Sequence, residues 1–190
     1  MEIKLKPIGV VHSPFKRRED IDPTRNVCPN RLADIEGQIE IFKPYAAGLK
    51  DIAGFSHLIV LFAFDKSEGR KLLVRPPFQS RLRGVFSTRS PHRPNPIGMT
   101  VVKLLGRRKN ILKVSGIDML EGTPILDIKP YTSRDIKKAI RLGWLESSGC
   151  VARSRAGFAP ACQSRSIRSS LSSRKTKQNM TGSNIHTQGR

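Results

Sequence analysis

Hydrophobic and polar residues alternate in several short stretches of this chain, which is the pattern of β-strands with one buried face. Residues 37–42, GQIEIF, alternate between isoleucine and polar side chains and predict a half-buried strand. Residues 2–11 alternate less regularly around Pro7, which predicts a bent strand at the edge of a sheet. Residues 56–64, SHLIVLFAF, are almost continuously apolar and predict a central strand buried on both faces.

Turn residues separate the remaining apolar segments. Short strands are predicted over residues 84–86, 97–105, 111–117 and 124–128, with a basic turn at 107–110. Helical periodicity is confined to residues 44–54, where Gly48 limits it to one or two turns, and to residues 133–142, a predicted terminal helix with Ser133 as its cap. Seven short strands with little helix indicate a mainly β protein, either an antiparallel barrel or a sandwich.

Residues 88–96, TRSPHRPNP, form a basic, proline-rich connection between two apolar segments, which we call the central loop. Proline fixes φ at about −65° and restricts the residue before it, so Arg89, Arg93 and Asn95 have few available orientations. Two pre-ordered guanidinium groups and an amide suit a site that binds an anionic or planar polar ligand. The pattern by itself is equally consistent with a rigid connection whose arginines are solvated.

The composition indicates a polyanionic partner. The 190 residues include 35 Lys and Arg against 15 Asp and Glu, a net charge of +20, which attracts nucleic acid or an anionic membrane surface. A membrane is the weaker candidate, because no apolar segment has the length of a spanning helix and the N-terminus resembles no secretory signal. The three cysteines are widely spaced, which indicates reduced thiols and a cytoplasmic location. Neither they nor the four histidines have the spacing of metal ligands, so no metal is expected.

The charge distribution changes after Ser147. Residues 1–147 carry 27 basic and 15 acidic side chains, a net of +12, whereas residues 148–190 carry 8 basic and no acidic ones, a net of +8. The second segment is serine-rich and has no apolar period, so it cannot bury enough surface to offset the entropy of ordering. We therefore predict a folded domain over residues 1–147 and a disordered tail over 148–190. The tail is either a basic arm that adds RNA affinity or a segment without a role.

Two acidic segments are candidates for chemistry. Residues 118–122, DMLEG, predict a turn that can present backbone and side-chain groups to adenine and ribose, although such turns are also ordinary hairpin connections. Asp127 lies among Ile125, Leu126 and Ile128, and a carboxylate on an apolar strand must be partnered or functional. It is the best single candidate for orienting or deprotonating an amine.

Several motifs point to one family. The segment SPHRPNPIG, preceded by GVFSTR and followed by DMLEGTPILDIKPY, closely resembles the TrmO/TsaA-like family of S-adenosylmethionine-dependent tRNA (adenine-N6)-methyltransferases, as do IGVVHSP, GFSHL and VRPP. The resemblance covers about residues 3–147 and implies a compact β-barrel with a few short helices. It also implies a homodimer with the cofactor near its interface. The implied reaction methylates N6 of threonylcarbamoyladenosine beside the anticodon of a tRNA.

The resemblance and the charge pattern together assign candidate roles. The residues implied to bind S-adenosylmethionine are Arg89, Asn26, Val27, Cys28, Phe64, Asp65, Asp118, Met119, Leu120, Glu121 and Gly122. The catalytic candidates, implied to lie near the methyl acceptor, are Asp127, Lys129 and Tyr131. The predicted RNA contacts are Arg93, Asn95, His92, Lys16, Arg17, Arg18, Arg107, Arg108 and Lys109.

The chain departs from the family pattern at two implied cofactor contacts. Many members have Pro-Arg-Gln where this chain has Asn26, Val27 and Cys28, and many have a histidine where it has Asp65. We expect backbone contacts there to survive these changes better than side-chain contacts. The competing prediction is a non-catalytic RNA-binding β-barrel, which the charge fits equally well. Aromatic residues are only 6% of the chain, which disfavours that alternative, because barrels that bind single strands usually supply stacking platforms.

Overall fold

A closed barrel of six antiparallel strands forms the body of the protein. The computed structural model describes residues 3–21, 32–77, 79–137 and 139–147, and the predicted tail, residues 148–190, lies outside them. The strands of the described part are β1 (Gly9–His12), β2 (Glu36–Ile41), β3 (His57–Ala63), β4 (Leu73–Val74), β5 (Arg83–Gly84), β6 (Ile97–Arg108), β7 (Ile111–Ser115) and β8 (Pro124–Pro130). Their order around the barrel is β1, β2, β7, β6, β3 and β8, while β4 and β5 form a separate two-stranded hairpin. The prediction of a mainly β protein built on an antiparallel barrel is confirmed.

The helical elements of the described residues are short 3₁₀ turns. They span Arg18–Asp20, Lys43–Leu49, Ile52–Gly54, Val85–Ser87 and Gly143–Ser147. The second and third occupy the segment for which one or two helical turns were predicted, and they are separated by Asp51, whose φ is 62°. A residue with positive φ cannot continue a right-handed helix, so the two turns remain separate.

The hydrophobic core fills the barrel and follows the two-residue period of the strands. On β3, Leu58, Val60 and Phe62 are at most 4% exposed, whereas the alternate residues Ile59 and Leu61 are half-buried. β3 is central, because it pairs with β6 on one side and β8 on the other. The prediction that both faces of β3 are buried is nevertheless wrong for the single chain, because only the face directed into the barrel is fully buried.

The outward side of β3 and β6 forms a continuous hydrophobic surface, which we call the outer apolar face. Its members pair across the two strands as Ile59 with Val101, Leu61 with Met99, and Ala63 with Ile97. The three β6 residues are between 39% and 49% exposed. The almost unbroken apolar sequence of β3 therefore reflects two surfaces, one covered by the barrel core and one open to a partner or to solvent.

β1 is shorter than predicted and is not at an edge. It begins at Gly9 rather than at Glu2, and it pairs with both β2 and β8. Ile3 and Leu5 are 70% and 57% exposed, so their alternation does not mark a buried face. Pro7 has no N–H to donate to a strand ladder, and regular pairing begins only after it.

The terminal helix predicted over residues 133–142 is wrong. The described residues there form a turn at 133–135 only. The carboxylate of Asp135 accepts hydrogen bonds from the backbone N and Oγ1 of Thr132 at 2.7 and 3.1 Å, which closes a local turn. Ile136 and Ile140 are 63% and 62% exposed, so no apolar face packs on the barrel to stabilise a helix.

The basic turn predicted at residues 107–110 is shorter in the structure. β6 continues through Arg108, and the chain turns at Lys109 and Asn110, where Lys109 has a φ of 55°. Arg107 therefore lies on the strand rather than in a loop. This places it beside the barrel wall, where its guanidinium can reach backbone carbonyls.

Candidate active site

The central loop connects the 3₁₀ turn Val85–Ser87 to the start of β6 and is closed by its own hydrogen bonds. Nη1 of Arg93 donates to the carbonyl oxygen of Thr88 at 2.9 Å, and the hydroxyl of Thr88 donates to the carbonyl oxygen of Val85 at 2.8 Å. The backbone N–H of Ile97 donates to the carbonyl oxygen of Asn95 at 2.7 Å. Arg93 therefore stabilises the loop that carries Arg89.

A small pocket of about 190 Å³ opens between the central loop and the end of the barrel. Its lining residues come from three separate segments and are Thr88, Arg89 and Arg93, then Phe62, Phe64, Ile97, Gly98 and Met99, and finally Asp118. Three of the predicted cofactor residues, Arg89, Phe64 and Asp118, are thereby brought together. The Arg89 side chain is exposed, and no described residue accepts a hydrogen bond from its guanidinium.

Asp118 is directed to this pocket by its neighbours. Ile117 and Met119 on either side are 0% and 2% exposed and pack into the barrel core. The turn before them is fixed by Gly116, whose φ of 88° favours glycine and whose N–H donates to the carbonyl oxygen of Ile35 at 2.9 Å. With its flanking side chains buried, Asp118 presents a carboxylate at the pocket wall. Met119 is a core residue and contributes no side chain to the pocket.

A larger cleft of about 810 Å³ adjoins the small pocket. Thr88 and Arg89 line both cavities, so the two are neighbours. The cleft lies between the β4–β5 hairpin, the central loop and the 3₁₀ turn Gly143–Ser147. Its charged and titratable lining residues are Arg18, Lys71, Arg75, Arg89 and His92. None of the described residues that line it is acidic, whereas the small pocket holds a carboxylate.

The family is identified by sequence comparison. The sequence model of the tRNA-methyltransferase O N-terminal domain matches residues 10–135, which include the barrel, the central loop and the turn at 118–122. The chain belongs to the TrmO family.

Relatives of the TrmO family differ in length. An S-adenosyl-L-methionine-binding protein of Archaeoglobus fulgidus is 49% identical over 130 residues, covering 67% of this chain and 88% of the relative. The tRNA (adenine(37)-N6)-methyltransferase of Escherichia coli is 37% identical over 139 residues, covering 67% of this chain and 57% of the enzyme. The crystal structure of TrmO from Pseudomonas aeruginosa matches with a TM-score of 0.61 and 33% identity, covering 76% of this chain and 63% of that chain. The match is thus nearly full-length for the archaeal relative and spans about three-fifths of the two bacterial ones.

The three TrmO-family catalytic candidates lie on the outside of the barrel and line neither cavity. Asp127 and Lys129 form an ion pair on β8, with 2.6 Å between Oδ2 and Nζ. The backbone N–H of Tyr131 donates to the carbonyl oxygen of His57 at 3.1 Å. Asp127 pairs in register with Leu61, which pairs with Met99 of the small pocket. At ~4.8 Å between neighbouring strands, this separates Asp127 from Met99 by about 10 Å along the outer apolar face.

Glu121, a predicted cofactor residue, binds the protein itself. Its carboxylate accepts a hydrogen bond from the backbone N–H of Ser13 at 2.7 Å, and this bond is the main reason that the pKa of Glu121 is lowered. The same carboxylate lies 3.2 Å from the ring of His12, whose other nitrogen is 3.0 Å from Glu40. Both contacts raise the pKa of His12, that with Glu40 more strongly. The side chain of Glu121 thus joins the turn at 118–122 to the loop after β1.

The remaining residues of the predicted turn have structural contacts. The N–H of Gly122, at a φ of 80°, donates to the carbonyl oxygen of Val11 at 2.9 Å, and Leu120 accepts from the N–H of Thr123 at 3.1 Å. Phe64 lines the small pocket, and its N–H donates to the carbonyl oxygen of Pro96 at 2.7 Å. Asp65 is exposed and lines neither cavity, while Asn26, Val27 and Cys28 lie outside the described residues.

The predicted RNA contacts separate into two groups at opposite ends of the barrel. Arg18 and His92 line the cleft, and Lys16, Arg17, Arg93 and Asn95 belong to the same loops. Arg107, Arg108 and Lys109 lie at the far end of β6. The guanidinium of Arg107 donates to the carbonyl oxygens of Leu49 at 2.6 Å and Lys109 at 2.8 Å, so it is engaged with the protein backbone.

Two aromatic residues of the cleft were not among the predicted site residues. Phe86 lies in the 3₁₀ turn before the central loop and is 75% exposed. Trp144 belongs to the 3₁₀ turn Gly143–Ser147, and its indole N–H donates to the carbonyl oxygen of Ser87 at 2.9 Å. In the sequence, Phe86 belongs to GVFSTR and to the strand predicted over residues 84–86, so it was interpreted as a strand residue rather than a site residue. Trp144 is remote in sequence, and only the fold brings it to the cleft.

A metal-binding cluster and a membrane-spanning helix are both absent from the described ranges. Within them, no three His, Cys, Asp or Glu side chains lie together as a metal ion requires. Nor does that part of the chain contain a helix long and apolar enough to cross a membrane.

Proposed function

We propose that this protein transfers a methyl group from S-adenosylmethionine to N6 of an adenosine beside the anticodon of a tRNA, and that this adenosine carries a threonylcarbamoyl group. The observation that carries the proposal is the small pocket, where Arg89, Asp118 and Phe64 meet from three separate segments of a TrmO-family barrel. The name of the Escherichia coli relative supports the reaction and the position of the adenosine. The threonylcarbamoyl group rests on the motif resemblance.

The residues of the small pocket fit the chemical groups of S-adenosylmethionine. The cofactor supplies an electrophilic methyl group on a sulfonium. Arg89 can bind its carboxylate in a bidentate manner, and Asp118 can accept hydrogen bonds from ribose hydroxyls or an amine. Phe62 and Phe64 meet edge to face with 5.1 Å between ring centroids and give the pocket an aromatic wall suited to adenine or to a cation. Because 190 Å³ is below the usual ~300–1,000 Å³ of ligand pockets, we expect further protein surface to complete the site.

The charges of the two cavities favour different ligands. S-adenosylmethionine carries a sulfonium and an ammonium group, so a wall that contains a carboxylate suits it better than a wall with only basic side chains. The small pocket contains Asp118, whereas the described lining of the cleft is basic without an acid. We therefore place the cofactor in the small pocket and the RNA in the cleft. Arg89 lines both cavities and would lie beside the methyl acceptor.

A homodimer would complete the site through the outer apolar face. This face presents Ile97, Met99 and Val101 at 39–49% exposure, and exposed hydrophobic patches bordered by charged residues are typical of interfaces. Met99 also lines the small pocket, so a partner on this face would lie next to the cofactor. The ion pair of Asp127 and Lys129 borders the same face. In such a dimer, Asp127 of one protomer could orient or deprotonate the acceptor nitrogen in the site of the other.

Mixed dimers test this arrangement. An Arg89→Ala protein and an Asp127→Asn protein, each inactive alone, would be unfolded together and refolded as a mixture. If each site takes Arg89 from one protomer and Asp127 from the other, the mixed dimer contains one intact site and methylation returns. If mixing restores no activity while native mass spectrometry shows mixed dimers, both residues act within one protomer and the shared site is wrong. A monomeric wild-type protein that methylates tRNA would exclude it as well.

Calorimetry with S-adenosylmethionine decides between an enzyme and the competing non-catalytic RNA-binding barrel. Micromolar binding by the wild-type protein supports the proposal, and no heat of binding at millimolar cofactor excludes it. Mass spectrometry of tRNA nucleosides from a strain that lacks the gene then tests the substrate. Loss of the methylated threonylcarbamoyl nucleoside is expected, and its persistence would contradict the substrate assignment.

Several narrower predictions accompany the proposal. We propose that residues 1–147 form the complete methyltransferase domain, so a chain ending at Ser147 should bind the cofactor like the full chain.

Arg108 and Lys109 are proposed as peripheral tRNA contacts that act through charge alone, and their removal should reduce the salt dependence of tRNA binding. A cytoplasmic location stays a prediction that rests on the cysteines.

A further inference from the structure

The large cleft combines positive charge with exposed aromatic surface. Its described lining carries Arg18, Lys71, Arg75 and Arg89 without an acidic residue. Phosphate groups bind such a surface, because guanidinium and ammonium groups replace their counterions. The same cleft contains Phe86, which is 75% exposed although an aromatic side chain is stabilised by burial. Basic side chains interleaved with exposed aromatic rings are the features by which proteins bind single-stranded nucleic acid.

The backbone of the 3₁₀ turn that carries Phe86 is held in place by its neighbours. Its neighbour Val85 is 1% exposed and anchors the 3₁₀ turn in the protein. The hydroxyl of Ser87 donates to the carbonyl oxygen of Gly84 at 2.8 Å, and that of Thr88 donates to Val85 at 2.8 Å, so both sides of the turn are closed. An aromatic ring on a fixed backbone loses less entropy when a ligand stacks on it than a ring on a mobile loop.

Charged groups lie beside both aromatic residues of the cleft. The guanidinium carbon of Arg93 lies 6.0 Å from the centroid of the Phe86 ring. The guanidinium carbon of Arg83 lies 5.3 Å from the centroid of the Trp144 ring, and this contact orients the indole together with its hydrogen bond to Ser87, the residue after Phe86. A base that stacked on Phe86 would therefore lie in a strongly positive surrounding, where its phosphate is also favoured.

We infer that Phe86 is a stacking platform for an unpaired nucleotide of the RNA substrate, whose phosphates are bound by Arg18 and Arg75 of the same cleft. This inference rests on the proposed function, because it takes the RNA as the occupant of the cleft. The shared lining residues Thr88 and Arg89 place the stacked nucleotide next to the cofactor pocket. The acceptor would thus be positioned by stacking and charge, with Arg89 between the two ligands.

Binding of the full-length protein to two RNAs tests the inference. The probes are a short RNA hairpin with a single-stranded loop and a fully paired RNA of equal length, both followed by fluorescence anisotropy. Phe86→Ala should weaken hairpin binding by about 5- to 150-fold, the range that base–aromatic stacking gives on alanine substitution, and leave duplex binding unchanged. Phe86→Trp should retain hairpin binding, because it keeps a ring. Cofactor affinity, measured by calorimetry, should be the same in all variants.

Control variants separate stacking from other losses. Leu82→Ala removes another exposed apolar side chain of the cleft, 55% exposed, and should change hairpin affinity by less than about 2-fold. Arg75→Gln should reduce the slope of log affinity against log salt by about 1, whereas Phe86→Ala should leave that slope unchanged. The inference is overturned if Phe86→Ala binds the hairpin like the wild type, or if Leu82→Ala loses as much. If instead the wild type binds no S-adenosylmethionine, the proposed function itself fails.

Discussion

The two ends of β6 are both rich in basic residues, yet their arginines have different environments. At the Ile97 end, Arg89 of the central loop is exposed, lines two cavities and donates to no described residue. At the Arg108 end, the guanidinium of Arg107 donates to the carbonyl oxygens of Leu49 and Lys109. The strand has 12 residues, so at ~3.3 Å per residue the two ends are about 35 Å apart when extended. An arginine whose donors are occupied by backbone carbonyls stabilises the fold, whereas one that keeps its donors available can bind a ligand.

The largest expected effect is that of Arg89→Ala at the first end. We expect cofactor affinity to fall by at least about 10-fold, since a hydrogen bond to a charged group contributes roughly 1.5–3 kcal/mol and a guanidinium can make two with a carboxylate. The midpoint of thermal unfolding should stay within about 1 °C of the wild type, because Arg89 is exposed and no described residue accepts a hydrogen bond from its guanidinium. Calorimetry with S-adenosylmethionine and thermal denaturation measure the two quantities. If the variant binds the cofactor with wild-type affinity, the assignment of Arg89 to the cofactor site is wrong.

Gly98→Ala tests the Ile97 end of β6 by overpacking the contact between Gly98 and the Phe62 ring. A Cβ at Gly98 would lie 2.3 Å from carbons of the Phe62 ring, which is 4% exposed and has little room to move. We expect the free energy of unfolding to fall by about 1–3 kcal/mol, the usual effect of overpacking a core, and cofactor affinity to fall with it because both residues line the small pocket. Urea denaturation measures the stability.

Gly106 provides the matched control at the other end of β6. A Cβ there meets nothing within 4 Å, and its φ is not positive. Gly106→Ala should therefore be neutral or stabilising by up to about 1 kcal/mol. Equal losses in the two variants would show that glycine is needed along β6 for a reason other than the Phe62 contact.

Arg107→Ala should have the opposite phenotype to Arg89→Ala. Removing its guanidinium leaves the carbonyl oxygens of Leu49 and Lys109 without these donors, so the free energy of unfolding should fall by about 1–2 kcal/mol. Methyl transfer at 25 °C should stay close to the wild-type rate, because the site is at the other end of the strand. Loss of activity in a variant that is still folded would show that this end takes part in the reaction or in essential tRNA binding.

Strand alternation is a local property, so the sequence predicted a mainly β protein, and the family resemblance narrowed a barrel or sandwich to a barrel. Arg89 and Asp118 became cofactor candidates because the family motifs contain them, and Phe64 because the resemblance implied a cofactor contact at that position. The sequence predicted Arg107 as an RNA contact, whereas the structure engages its guanidinium with backbone carbonyls, one of which belongs to Leu49, a residue distant in sequence. It also could not separate the two faces of β3, where core burial and the outer apolar face both require hydrophobic residues. Trp144 reaches the cleft only through the fold. The helix expected over residues 133–142 is wrong because its apolar residues Ile136 and Ile140 are exposed and do not form a packed face.

The smallest expected effect concerns the ionic contacts of His12. These contacts lie at the same end of the barrel as the site, because Val10 of β1 pairs with Pro124 of β8, and the next residue of β8, Ile125, pairs with Phe62 of the small pocket. The pKa of His12 is raised above its ordinary 6.5 by Glu40 and then Glu121, so its contribution to stability is complete below pH 6.5 and is lost as the pH rises through the folded value. The pKa of Glu121 is lowered below its ordinary 4.5, mainly by the Ser13 N–H, so its contribution is present above pH 4.5 and is lost as the pH falls through the folded value.

Both contributions are therefore complete between pH 4.5 and 6.5. We expect the free energy of unfolding to fall by about 0.2–1 kcal/mol between pH 6.5 and about pH 9, since the three side chains are partly exposed and solvent screens them. Urea denaturation at a series of pH values measures this change. His12→Gln cannot titrate and should lose the slope in this range while keeping hydrogen-bonding capacity. If the slope persists in that variant, another group is responsible for the pH dependence.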